Sequence, residues 1–474
     1  MKAFNKEKEL RKLKFKQNKG RYIKYGTIGI SCLLLVLGVM YFTFAKFESK
    51  SPEWTLINGR VKYSGSGDAN IVAVYIGEEK VDDIPSKGSG YYFDRLECTN
   101  GATARWDNDE WGIFIKSSKK TNCTLYFVER GPAFFRNLLA DADKTSTEVI
   151  DKGTAPTGET YTLAYDGTED NNIRYVGANP ANYVNYNCDS NGENCELWRI
   201  IGVFNNIYTT EEDYNNKTNP QALMKLIRSK SLGNYSWDTS ASSVNKGNGI
   251  NQWGASGTYE GADLMNELNK DYLGTSWAGD TWYNGSSNSK TATKPSTTLN
   301  STAQNMIQDI VWNTGSNGSD SSSPWTPSKM YEYERSTNTG KSCSSGEYCN
   351  DNVLRTTTWY GKVALMYPSD YGYATSGGST TNRSTCLTTS LSLWNGSSIA
   401  NCNDNDWIFA NTDYWTLSPS NGRADLVLRI VSSGYIYSNH DASYAGKVLP
   451  VVFLKSSIGI SGGTGTSTDP YTLG

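Results

Sequence analysis

The sequence predicts an α+β protein carried behind a single transmembrane helix, and three observations lead there. Residues 25–45 form an uncharged apolar run preceded by a strongly basic tail. Short apolar or alternating segments, separated by Gly, Ser and Asn turns, fill most of the remaining chain, as strands do. In the large distal domain, helical spacing is confined to two or three brief stretches. Composition agrees: hydrophobic content is low at 37%, yet the chain carries 31 Tyr and 14 Trp. That mixture suits short strands, many turns and Tyr- and Asn-rich surfaces, and it argues against disorder, in which aromatics are scarce.

Residues 1–24 are the basic tail, with ten Lys/Arg against Glu7 and Glu9. Residues 25–45, centred on Leu33–Leu37, rise about 1.5 Å each as a helix, enough for a hydrocarbon core of roughly 30 Å. The positive-inside rule keeps the tail cytoplasmic and places the rest of the chain outside. A cleaved signal peptide is the rival reading. The run exceeds an h-region of roughly 7–15 residues, and Phe44-Ala45-Lys46 is a poor cleavage site. Beyond residue 45 the chain has 35 Lys/Arg against 46 Asp/Glu, a formal charge of −11. This excess argues against nucleic acid, anionic lipid or a polyanionic glycan as main partner.

A polar spacer leads to a β-rich stalk module over 54–129, with strands expected at Thr55–Val61, Ile71–Ile76, Tyr91–Leu96, Gly112–Lys116 and Thr124–Val128. This reads as a small β-sandwich or half-barrel. Residues 130–160 hold a short amphipathic helix, Pro132–Ala142, and a polar link. Residues 161–474 form one large α+β ectodomain. Its strands are expected at Arg174–Val176, Tyr183–Tyr186, Leu197–Phe204, Leu223–Arg228, Lys362–Tyr367, Tyr414–Ser418, Leu426–Val431, Tyr435–Tyr437 and Val448–Lys455. Helical spacing marks Ala262–Tyr272, Ala303–Trp312 and Lys329–Arg335. The Ser-, Thr-, Asn- and Gly-rich stretch 286–328 reads as a flexible surface insert.

Of nine cysteines, Cys32 lies in the span, as a packing residue or a lipidation site. The other eight fall into close pairs, Cys98/Cys123, Cys188/Cys195, Cys343/Cys349 and Cys386/Cys402. Eight cysteines allow 105 connectivities, so spacing alone does not fix the pairing. An even, locally grouped set outside the membrane favours disulfides, and zinc would need CxxC pairs or His partners.

One histidine, His440, excludes Ser-His-Asp and Cys-His chemistry elsewhere in the chain, together with His-ligated zinc. There is no Walker loop and no GxGxxG between strand and helix. Asn403-Asp404-Asn405-Asp406 and Asp107-Asn108-Asp109-Glu110 are oxygen-rich but lack the EF-hand register, so they read as polar turns. Asn284-Gly285-Ser286 and Asn395-Gly396-Ser397 mark exposed loops. No cofactor is expected.

The C-terminal stretch is the most informative. Asp413-Tyr414-Trp415-Thr416-Leu417-Ser418-Pro419 and Leu426–Val431 are apolar strands holding polar loops, followed by a Ser-Ser-Gly turn at 432–434 and the strand Val448–Leu454. The run Tyr414–Leu454 resembles the closing segment of an uncharacterised surface-protein domain of Gram-positive gut bacteria. There a Tyr-Trp-x-Leu-Ser-Pro strand precedes a variable polar stretch, a Gly turn and a Val-Arg-Pro-Val-Val strand; here the last reads Val448-Leu449-Pro450-Val451-Val452, with Leu449 in place of Arg. Leu197-Trp198-Arg199-Ile200-Ile201-Gly202-Val203-Phe204 matches that family's opening strand, and 461–471 its tail. The resemblance covers roughly 165–474. It implies a C-type-lectin-like scaffold, shared with formylglycine-generating enzymes and with the variable proteins of diversity-generating retroelements. A variable ligand face would then comprise Asn421, Arg423, Asp425, Tyr435, Tyr437, Asn439, His440, Asp441 and Tyr444. Formylglycine-generating activity needs a reactive cysteine pair, which this chain's locally paired cysteines do not suggest.

The expectation is a non-enzymatic, single-pass extracellular binding protein presenting Tyr and Asn loops to a protein or glycan ligand. A cell-envelope glycan hydrolase using two carboxylates is the alternative from another class. A structural surface-layer or adhesive component is a third.

Overall fold

The computed structural model describes residues 60–64, 69–76, 79–85, 91–107, 111–129, 135, 139, 142–239, 249–255, 259–275, 281–285, 291–315, 324–336, 356–394, 401–420 and 425–474. The span expected at 25–45, the basic tail and most of Pro132–Ala142 lie outside them. The disulfide expected between Cys343 and Cys349 also lies outside the described residues. Among the described residues no helix is long and apolar enough to cross a membrane. The chain divides into two compact units, Met1–Val128 and Glu129–Gly474.

The first unit is built of short strands in two sheets. Gly112–Lys116 pairs in parallel with Arg60–Ser64 and antiparallel with Thr103–Asp107. Ala69–Ile76 lies between Glu79–Val81 and Thr121–Glu129, and Tyr91–Cys98 completes that sheet. Alternation puts Val74, Leu125 and Phe127 from one sheet and Ile113 and Ile115 from the other into one core. Phe93 stacks on Trp106 at 5.0 Å, and Cys98–Cys123 is a disulfide. Periodicity gives no sign of Glu79–Val81 or Thr103–Asp107, whose side chains are mostly exposed or half-buried.

The second unit is strand-dominated. Its main sheet runs Val363–Ala364, Val451–Phe453, Gln221–Arg228, Glu196–Ile207, Ile173–Tyr175, Thr160–Tyr165, Ile150–Thr154, with Tyr183–Tyr186 also pairing on Glu196–Ile207. Cys188–Cys195 staples the hairpin between those last two. A smaller sheet is ordered Asn234–Ser236, Ala445–Lys447, Tyr414–Pro419, Val427–Ile430, Ile436–Tyr437. Both sheets share one core, and seven tryptophans of the described residues are fully buried in it. Much of the aromatic content thus fills the interior.

The two or three helices expected become six short α-helices among the described residues. Polar caps start four of them: the side chains of Thr210, Asn300, Thr326 and Asn382 each accept the backbone N–H of the third helical residue. Pro327 and Pro368 open two of them, where a missing N–H costs nothing. The helix expected over Ala303–Trp312 is corrected. Ser301–Met306 is helical, Ile307 turns extended, and Ile310–Asn313 is a strand paired with Thr358–Gly361. Cross-strand pairing there overrides the apolar spacing. The expected flexible insert is corrected too, because Leu299, Ala303, Ile307 and Trp312 belong to the core. Lys362–Tyr367 shrinks to Val363–Ala364 because Pro368 starts the helix Pro368–Ala374. Val448–Lys455 shrinks to Val451–Phe453, Pro450 having no N–H to pair.

One buried ion network ties this architecture together. Arg174 meets Asp166 at 3.0 Å and Asp370 at 2.8 Å, and Lys225 Nζ meets Asp370 at 2.5 Å, all four essentially unexposed. Burial pushes the Lys225 ammonium down to about 8 against the pull of Asp370. Burial raises the Asp370 carboxyl, but Lys225 and Arg174 outweigh it and hold it below its ordinary value. The network fastens the helix Pro368–Ala374 to the centre of the main sheet.

Candidate ligand-binding face

The strand Tyr414–Pro419 forms the middle of the small sheet and is buried throughout. The Trp415 indole donates to the Tyr235 carbonyl at 2.9 Å, and that of Trp237 to the Thr416 carbonyl at 3.2 Å. Gly446 lets the strand Ala445–Lys447 lie against Trp415; a Cβ there would sit 2.7 Å from the indole nitrogen. The Asn251 amide donates to the carbonyls of Ser420 and Leu426, at the facing ends of two paired strands. At the other end, the Tyr371 hydroxyl donates to the Gly434 carbonyl at 2.7 Å and fixes the turn 431–434.

On this frame lies a stack of rings. His440 is 5.4 Å from buried Trp415 and 5.2 Å from Tyr444, which is 50% exposed. Arg429 Nη1 lies 2.9 Å from His440 Nε2 and 3.0 Å from Asp413 Oδ2. A guanidinium only donates, so Nε2 is the acceptor and the ring proton sits on Nδ1. Burial and the adjacent Arg429 push His440 down to about 4, with Asp413 opposing them. His440 is therefore neutral at physiological pH. Tyr437 lies 5.9 Å from Arg429 and meets Tyr435 edge-to-face at 6.2 Å.

Asn234, Asn411, Thr412, Asp413, Ser432 and Lys447 line an open cleft of about 340 Å³ at the end of the same sheet. Asp413 joins cleft and ring stack: Oδ1 accepts the Ser432 N–H at 2.7 Å and Oδ2 pairs with Arg429.

Of the residues expected at the ligand face, Tyr435, Tyr437, His440 and Tyr444 flank Arg429 and Trp415. Asn439 is exposed on the same loop. The backbones of Asp425 and Asp441 hold the loop, their carbonyls accepting the N–H groups of Ala442 and Tyr444. Asn421 and Arg423 lie outside the described residues. Sequence reasoning missed Asn234, Asn411, Asp413, Arg429 and Lys447. Arg429 was the one detectable signal, a lone charge within Leu426–Val431.

Several buried carboxyls elsewhere hold backbone N–H groups. Asp238 Oδ1 accepts the Asp263 N–H and Asp263 Oδ2 accepts that of Thr239, so two buried acids fix the start of the helix Asp263–Asn266. Burial, with Asp263 nearby, keeps Asp238 well above the usual carboxylate range, and burial does the same to Glu267. Asp406 is a turn residue whose Oδ1 accepts the Ile408 N–H at 2.9 Å. Among the described residues no group of three or more His, Cys, Asp or Glu is placed to hold a metal ion.

Cys386–Cys402 is a third disulfide, so three of the four expected pairings form. The fourth is not among them, because Cys343 lies outside the described residues and so does Cys349.

Comparison with known proteins finds no matching family model, no matching curated protein and no matching solved structure.

Proposed function

We propose that this chain is a single-pass membrane protein, amino terminus cytoplasmic, whose extracellular C-type-lectin-like domain binds a protein or glycan ligand without catalysis. One observation carries the reading: Tyr435, Tyr437, His440 and Tyr444 gather with Arg429 beside a polar cleft on a sheet braced by buried tryptophans. Aromatic side chains on a rigid support give contact area at low entropic cost, as in antibody paratopes. The three disulfides suit an oxidising exterior. Among the described residues the cleft is lined by one carboxylate, Asp413, with both oxygens engaged, which favours binding over hydrolysis by a carboxylate pair.

The experiment is a glycan and cell-surface binding screen with the full chain and a Tyr435→Ala/Tyr437→Ala variant. The reading requires captured ligand to be lost in the variant while its circular dichroism and melting stay unchanged. Undiminished binding would remove this face from consideration.

A further inference from the structure

We infer that the cleft takes a carboxylate-bearing sugar at the end of a glycan, with Lys447 as its counter-charge, an assignment that rests on the binding reading above. Charge accounting inside the cleft is the first argument. Asp413 is spent on Arg429 at 3.0 Å and on the Ser432 amide at 2.7 Å. The neutral His440 ring adds no charge. The Lys447 ammonium remains, half-buried in the lining, and no described carboxylate pairs with it. Among the described residues the cleft's uncompensated charge is thus an ammonium, which favours an anion.

The second argument is the chemistry of the walls. Asn234, Asn411, Thr412 and Ser432 offer amides and hydroxyls, groups that both donate and accept. Sugar hydroxyls also do both, whereas an acidic peptide would need apolar recesses for its neighbouring side chains. At about 340 Å³ the cleft is at the small end of ligand sites, roughly 300–1,000 Å³. Next to the cleft, Asp413 pairs with Arg429, which also meets His440, so the cleft adjoins the ring stack in which Tyr444 is exposed. The formal charge of −11 beyond residue 45 opposes a long polyanion, so the fit is to a single terminal carboxylate.

The test uses the full chain and two probes that differ in one group, methyl glucuronide and methyl glucoside, with N-acetylneuraminic acid and a tetra-aspartate peptide alongside, all read by saturation-transfer NMR. At least one acidic sugar should bind about tenfold more tightly than the glucoside, and Lys447→Gln should remove that preference. Equal binding of glucoside and acidic sugars, no binding of either acidic sugar, a preference that survives Lys447→Gln, or stronger binding of the peptide would each overturn the assignment. The Tyr435→Ala/Tyr437→Ala variant keeps the two claims apart. If ligand from the surface screen is lost in that variant but unaffected by Lys447→Gln, the acidic-sugar assignment fails while the binding face stands.

Discussion

At the residue scale, His440 reports on its own surroundings, because it is the chain's single histidine and gives one imidazole signal. Burial and Arg429 both oppose its proton, so its NMR titration should have a midpoint near 4. The folded value lies below the unfolded one, so its contribution to stability is present above pH 6.5 and is lost as pH falls through 4. Arg429→Gln should move the midpoint upward, towards 6.5, by removing the adjacent charge. A wild-type midpoint near 6.5 would contradict the Arg429–His440 geometry. Gly434 is constrained differently: its φ is +91°, and a Cβ would sit 2.1 Å from Asn403 Nδ2. Gly434→Ala should destabilise the domain by about 1–3 kcal/mol in urea unfolding, from backbone strain and the clash together.

At the scale of elements, the helix Pro368–Ala374 serves both the core and the face. Asp370 anchors it to Arg174 and Lys225, and Tyr371 reaches the turn beneath Tyr435. Asp370→Asn would leave two buried cations short of a partner, and the loss should be roughly 3–5 kcal/mol by chemical denaturation. Much of this level was legible in the sequence. Tyr183–Tyr186 and Gly112–Lys116 have the expected bounds because apolar alternation and flanking turns agree there. Glu79–Val81 was not, since three residues carry no readable period. Ile310–Asn313 was misassigned because its apolar spacing suits either element, and only its distant partner Thr358–Gly361 decides.

At the scale of the whole molecule, buried carboxyls set the response to pH. Asp238, Glu267 and Asp406 are held well above the usual range mainly by burial, and Glu334 is pushed up to about 7. Each raised group stabilises fully below its unfolded value and loses that contribution as pH rises through its folded one. Four such groups outweigh His440, so the melting temperature of the second unit should be higher at pH 5.5 than at pH 7.5. A flat or rising profile in calorimetry would contradict that balance. None of these burials was legible, because any acid in the sequence can be inside or outside. The site was legible only in part: its aromatic loop follows from the closing strands. Asn234 and Lys447 join it by pairing directly across some two hundred residues, which local pattern cannot show. The central claim is that this face is where ligand lands. The most direct measurement is the His440 resonance of the full chain during titration with a ligand captured in the surface screen. The account predicts that the signal shifts in step with binding; saturable binding that leaves it unmoved would contradict it.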